Sequence, residues 1–193
     1  RLSRELLNYT FYLKPGHPSP GLVRKATSFV PAPARIAVKN PLAPRLLAND
    51  SIQRGLHWVE NVAPPGPNIT RWLARNRPDV VVASPYIYSR SKQTDYVKAA
   101  AALGIPTVVP VASWDNLTTK GVFQVMPDLF VVWNRALAQE VVALHDVPQE
   151  RVRITGAPTF DFMFEMEPSL DRESFCKRVG IDPARPYVVY LGS

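Results

Sequence analysis

The chain has 193 residues, 46% of them hydrophobic and 20% charged, with a formal net charge of +7. That length accommodates one good core, or one domain with an incomplete neighbour, and the apolar content excludes a disordered chain. The charge is uneven: residues 1–80 hold 12 Lys and Arg against 4 Asp and Glu, a net of +8, whereas residues 81–193 hold 11 against 12, a net of −1.

In chain order, residues 1–61 read as irregular. Leu2, Leu6, Leu7 and Tyr9 to Leu13 suggest a short amphipathic helix, after which prolines such as Pro31, Pro33, Pro41 and Pro44 remove backbone donors and restrict their predecessors, so short helices and loops are expected. Pro64-Pro65-Gly66-Pro67 is a turn that introduces a helix from Asn68 to Asn76, with Asn68 as its cap. Asp79 to Ser84 is a near-continuous apolar run, as in a strand buried on both faces of a parallel sheet. An alanine-rich helix, Asp95 to Leu103, ends at Gly104, and strands follow at Thr107 to Ala112 and Asp128 to Trp133. Asn134 caps a helix over Arg135 to Leu144, Val147-Pro148 breaks it, and Arg151 to Thr155 is a fourth strand.

Strands alternating with helical segments predict an α/β fold, a Rossmann-like open parallel sheet with helices on both faces, over residues 62–158. Phe160 to Met166 and Asp171 to Val179 read as helices of a connection over 159–185. Tyr187 to Ser193 reads as the first strand of a second domain, over 186–193, that the chain leaves incomplete.

The composition also narrows the chemistry. Cys176 is the single cysteine, so an internal disulfide or a multi-cysteine zinc site is excluded, and His17, His57 and His145 lack metal-ligand spacing, so no metal is expected. No apolar run reaches the ~18 to 20 residues that span a bilayer, and Leu6 to Leu13 lacks the features of a signal peptide. Dinucleotide and phosphate-binding glycine patterns are absent, as is the Gly-x-Ser-x-Gly elbow. The basic leading half fits a solvated surface, an anionic membrane or phosphorylated substrate, and fits nucleic acid less well.

Ligands of open parallel sheets bind outside the carboxyl ends of the strands. Those ends here are Ser84-Pro85-Tyr86, Ser113 to Gly121, Trp133-Asn134-Arg135 and Thr155-Gly156-Ala157-Pro158. The second concentrates the chemistry. Trp114 could stack on a sugar or base, Asp115 could take a proton from an acceptor hydroxyl, and Lys120 could neutralise phosphate, alongside Ser113, Asn116 and Gly121. The alternative is structural: Asp115 or Asn116 caps the next helix and Trp114 packs in the core. Gly156 and Pro158 suit either a close ligand approach or a tight interdomain turn.

The succession Asp79-Val80-Val81-Val82, Gly104-Ile105-Pro106, Ser113 to Gly121, Pro127-Asp128 with Val132-Trp133, and Val152 to Pro158 with Asp161 resembles bacterial glycosyltransferases of the two-Rossmann-domain type. It is also similar to the CDP-glycerol glycerophosphotransferases that build teichoic acid polymers. The resemblance covers roughly Asp79 to Asp161, and the Thr-Gly-x-Pro turn is shared with UDP-N-acetylglucosamine 2-epimerases. It implies an acceptor-side domain facing a donor domain that begins at the end of this chain, with a nucleotide-activated sugar or CDP-glycerol as donor and a saccharide or lipid-linked acceptor. Asp115 is then the expected base, with Ser84, Tyr86, Ser113, Trp114, Asn116, Lys120, Gly121, Thr155, Gly156 and Pro158 lining the substrate. The resemblance further implies a cytoplasmic enzyme near the inner membrane face, needing no metal or other cofactor, the donor being a substrate, and inactive as this fragment alone. A nucleotide-sugar epimerase, and a non-catalytic basic domain binding anionic lipid or nucleic acid, are the alternatives.

Overall fold

The computed structural model describes residues 2–13, 19–38, 40, 42–88 and 91–190, with the side chains of 33, 37 and 45 left aside. His17 and the last three residues of the expected final strand lie outside them. The chain divides into two compact units, Arg1–Gly156 and Ala157–Ser193.

The first unit opens with helices: α1 (Leu2–Phe11), α2 (Pro20–Phe29), α3 (Ala32–Val38), α4 (Ala43–Leu47), α5 (Asp50–Val62) and α6 (Pro67–Asn76). Polar residues at the entries satisfy amides that a helix start leaves without partners: Ser19 accepts from the Leu22 amide and Asn49 from that of Ser51. α6 begins one residue earlier than expected. Pro67 occupies its first turn and Gly66, not Asn68, is the cap, because a proline there is already set to the helical φ and has no amide to satisfy.

β1 (Val81–Val82), α7 (Gln93–Ala102), β2 (Thr107–Pro110), α8 (Asn116–Thr119), β3 (Leu129–Val132), α9 (Arg135–His145) and β4 (Val152–Ile154) complete the unit. The four strands form one parallel sheet in the order β1-β2-β3-β4, so the chain has the expected α/β, Rossmann-like architecture. Gly104, at φ 68, lets α7 turn sharply into β2: the amides of Gly104 and Ile105 bond back to the carbonyls of Ala101 and Ala100. At the start of β3, Asp128 accepts from both the amide and the hydroxyl of Thr107, tying the amino ends of β2 and β3 together.

The helical cover of the sheet is asymmetric. Val109, Phe130 and Val152 are register partners on one face, and all three are buried in one cluster with Val97 of α7 and Val141 of α9. Each such side chain contributes about 1.5–3 kcal/mol by leaving water. On the other face Val108, Leu129, Pro110 and Val131 are only half-buried. β1 corrects the expectation of a strand buried on both faces: it is the sheet edge, and Val82 is 61% exposed.

The leading segment is more regular than its prolines suggest, and its longest helix, α5, shelters polar residues. Glu60 is 2% exposed and accepts from Ser3 (2.9 Å), Arg4 Nε (2.8 Å) and Lys98 Nζ (3.0 Å), while Lys98 also donates to the Glu60 carbonyl and Arg4 reaches Asp95. This network ties α1 and α5 to α7. Burial pushes the Glu60 carboxyl up, but the Lys98 hydrogen bond and the Arg4 charge outweigh it and hold it below its ordinary value.

The second unit, taken by itself, has a 3-10 turn at Pro158–Phe164 and α10 (Arg172–Val179), capped by Asp171 and closed by Gly180 at φ 73. Both expected helical segments are therefore present. Residues 187–190 form no strand: they pair with no other strand among the described residues, and Val188 is 97% exposed. An apolar β-branched run becomes a strand only where a neighbour satisfies its backbone groups.

Candidate functional site

The loop between β2 and α8 is built by its own side chains. The sheet continues one step past β2, where the Val111 amide bonds to the Val131 carbonyl, and the chain then turns. Asn116, itself buried, accepts from the amides of Ala112 (3.1 Å) and Ser113 (2.9 Å), which fixes that turn. Behind it Leu117 is fully buried, and its carbonyl meets the His145 ring at 2.8 Å.

Asp115 sits at the start of α8 but does not cap it through its side chain. Its Oδ1 accepts from Ser113 Oγ (2.7 Å), and its Oδ2 meets Thr119 Oγ1 (3.0 Å) and Lys120 Nζ (2.9 Å). The Ser113 hydrogen bond is the main reason its carboxyl is held down at about 2; Lys120 and Thr119 add to it and partial burial opposes it. Such a carboxylate is a poor proton acceptor near neutral pH, because a general base works best with a pKa close to the operating pH. In this arrangement Asp115 braces the loop.

Trp114 is 72% exposed at the apex of this brace, so it is not a core residue. Lys120, although paired with Asp115, also lines a small cavity of about 50 Å³ together with Thr119, Tyr12, Lys25 and Tyr88. Lys25, Tyr12 and Tyr88 were not expected there. They come from α2, the turn after α1 and the loop after β1, and only the general basicity of the leading half hinted at the lysine.

The remaining expected residues divide. Ser84 is exposed, its hydroxyl donating to the Pro110 carbonyl at 3.1 Å, and Thr155 extends the sheet through its amide to Val132. Gly156, at φ 89, has open space around it. Tyr86 is corrected from ligand contact to core: it is buried, stacked on Phe123, and its hydroxyl donates to the Val125 carbonyl at 2.6 Å. Gly121 is likewise structural. At φ 123 it lies against α1, where a Cβ would fall 2.3 Å from Asn8 Oδ1. Pro158 opens the 3-10 turn of the second unit.

A larger cavity, about 710 Å³, lies among α1, α5, α9 and residues 122–126, and none of the expected site residues lines it. Among the described residues no three His, Cys, Asp or Glu side chains are grouped to hold a metal ion, and no helix is long and apolar enough to cross a membrane. Comparison with protein-family models, with curated proteins and with solved structures finds no match.

Proposed function

We propose that this chain is the acceptor-side part of a transferase that moves a sugar or glycerol phosphate from a nucleotide-linked donor to a saccharide or lipid-linked acceptor. The observation that supports it is an exposed Trp114 held on a loop braced by Asn116 and Asp115, at the carboxyl edge of an open parallel sheet. Sugars and polyols dock on aromatic faces through their C–H groups, and a pre-ordered loop lowers the entropic cost of binding. Lys25 and Lys120, which line one small cavity with Thr119, supply positive charge suited to an acceptor phosphate.

In this reading the acceptor hydroxyl oxygen bonds to the anomeric carbon or the phosphorus of the donor. The nucleotide leaves with the electrons of the broken bond, and the hydroxyl proton goes to a carboxylate beside the acceptor oxygen or, through it, to water. The test uses the full-length natural protein with a panel of nucleotide sugars and CDP-glycerol, following nucleotide release by mass spectrometry. Release that requires an acceptor, and that weakens in the Trp114→Ala variant through a higher KM for the acceptor, is expected. Conversion of a nucleotide sugar without any acceptor would replace the transferase by an epimerase.

A further inference from the structure

The 710 Å³ cavity is built on one face of α5. Asp50, Gln53, Arg54, His57, Trp58 and Asn61 all line it, and their spacing of i, i+3, i+4, i+7, i+8 and i+11 is that of a single helical stripe. Such a stripe ordinarily packs on a neighbour, whereas this one faces open space whose volume falls within the roughly 300–1,000 Å³ of small-molecule sites. The wall is fixed in place. Glu60 of the same helix is held by Arg4 and Lys98, and His57 Nδ1 meets the Gln124 carbonyl at 3.4 Å, joining α5 to residues 122–126.

Floor and rim differ in chemistry. The floor is buried and aromatic: the His145 ring stacks on Phe11 with 5.2 Å between centroids and tilts against Phe123 at 4.6 Å, and Leu7 is buried there too. Its polar side chains already have protein partners, because Thr10 donates to the Leu7 carbonyl and Gln124 accepts from Thr94 and donates to Asn8. A ring that reaches this floor gains aromatic contact, whereas the hydroxyls of a polyol would be left without partners. The rim is polar and exposed, with Trp58 at 65% and two carboxylates, Asp50 and Asp146, against one guanidinium, Arg54. Neither Asp50 nor Arg54 belongs to an ion pair among the described residues.

We infer that this cavity binds a small zwitterionic aromatic molecule, in the simplest case a free aromatic amino acid. The ring enters towards Phe11, Phe123 and His145, where it gains apolar and stacking contact. The ammonium group stays at the rim, where Asp50 and Asp146 supply opposite charge and Trp58 an aromatic face. Arg54 receives the carboxylate, which its planar fork suits. Two carboxylates against one guanidinium disfavour a ligand that is purely anionic, so a phosphate is the wrong charge for this rim although the chain as a whole carries +7. None of residues 113–120 lines the cavity, so its occupancy is independent of the transferase reading.

The experiment is calorimetric titration of the 193-residue chain with phenylalanine, tyrosine and tryptophan, no nucleotide or acceptor being present. Saturable binding of at least one of them, with a Kd below about 1 mM, is expected. Leucine, and the deaminated acid of the amino acid that binds, should each bind about tenfold or more weakly, because one lacks the ring and the other the ammonium group. Trp58→Ala should weaken binding about five- to tenfold. Asp50→Asn with Asp146→Asn should weaken it about tenfold; asparagine tolerates the left-handed φ of 55 at position 146, and circular dichroism confirms the fold of both variants. No binding of any of the three by the folded wild type, equal binding of leucine or of the deaminated acid, or full binding by the folded variants would overturn the inference.

Discussion

Two carboxylates organise two regions of this molecule with the same chemistry in different surroundings. Glu60 is buried between three helices and gathers a serine, an arginine and a lysine; Asp115 is partly exposed on a loop and gathers two hydroxyls and a lysine. Burial separates their roles. Around Glu60 the loss of one partner strands a charge away from water, so that network holds the helices in place. Around Asp115 water can replace any partner at little cost, so that network sets a local shape and leaves the fold untouched.

The comparison predicts a graded series. Lys98→Met, which leaves Glu60 buried with less compensation, should cost about 3–5 kcal/mol in urea unfolding. Gly121→Ala, which forces a Cβ into the Asn8 side chain at a positive φ, should cost about 2 kcal/mol or more by the same measurement. Asn116→Ala removes the acceptor for two loop amides and should cost about 1–3 kcal/mol, with a loss of acceptor binding beyond that of stability. Asp115→Asn should change stability by about 1 kcal/mol or less. In the full-length protein it should leave kcat within about threefold; a loss of a hundredfold or more would restore Asp115 as the base.

Acid sharpens the same contrast. The folded Asp115 carboxyl lies near 2, below its ordinary 3.8, so the stability it contributes is complete above about pH 4 and disappears as pH falls towards 2. Glu60 is shifted in the same direction, so its contribution is also lost as pH falls below the ordinary carboxylate range. The stability that Lys98→Met costs should therefore shrink as pH falls below the ordinary carboxylate range, because protonated Glu60 no longer needs the lysine, and the smaller cost of Asp115→Asn should shrink in the same way.

The sheet was legible in the sequence because its strands are continuous apolar runs separated by turn residues, and Gly104 and Asn134 mark helix ends with side-chain and backbone chemistry that acts locally. The loop at 113–120 was legible as a polar cluster for the same reason: its polar residues are neighbours in the chain. What was not legible depends on residues far apart in sequence. α5 escaped notice because its buried side is polar, and only Arg4 and Lys98, more than 35 residues away on either side, make that side a core. Tyr86 read as a ligand contact because nothing near it in sequence announces Phe123 or the Val125 carbonyl. At Asp115 the sequence shows Ser113, Thr119 and Lys120 as neighbours but not that they hold both carboxylate oxygens at once.

The most direct test of the central claim, that Trp114 on its braced loop is an acceptor platform, is isothermal titration of the 193-residue chain and its Trp114→Ala variant. The probes are glycerol phosphate oligomers and amino-sugar disaccharides. The account predicts saturable binding of at least one probe by the wild type and a weakening of roughly five- to tenfold in the variant, the magnitude of one lost aromatic contact. Binding of equal strength by both proteins, or none by the folded wild type, would contradict it.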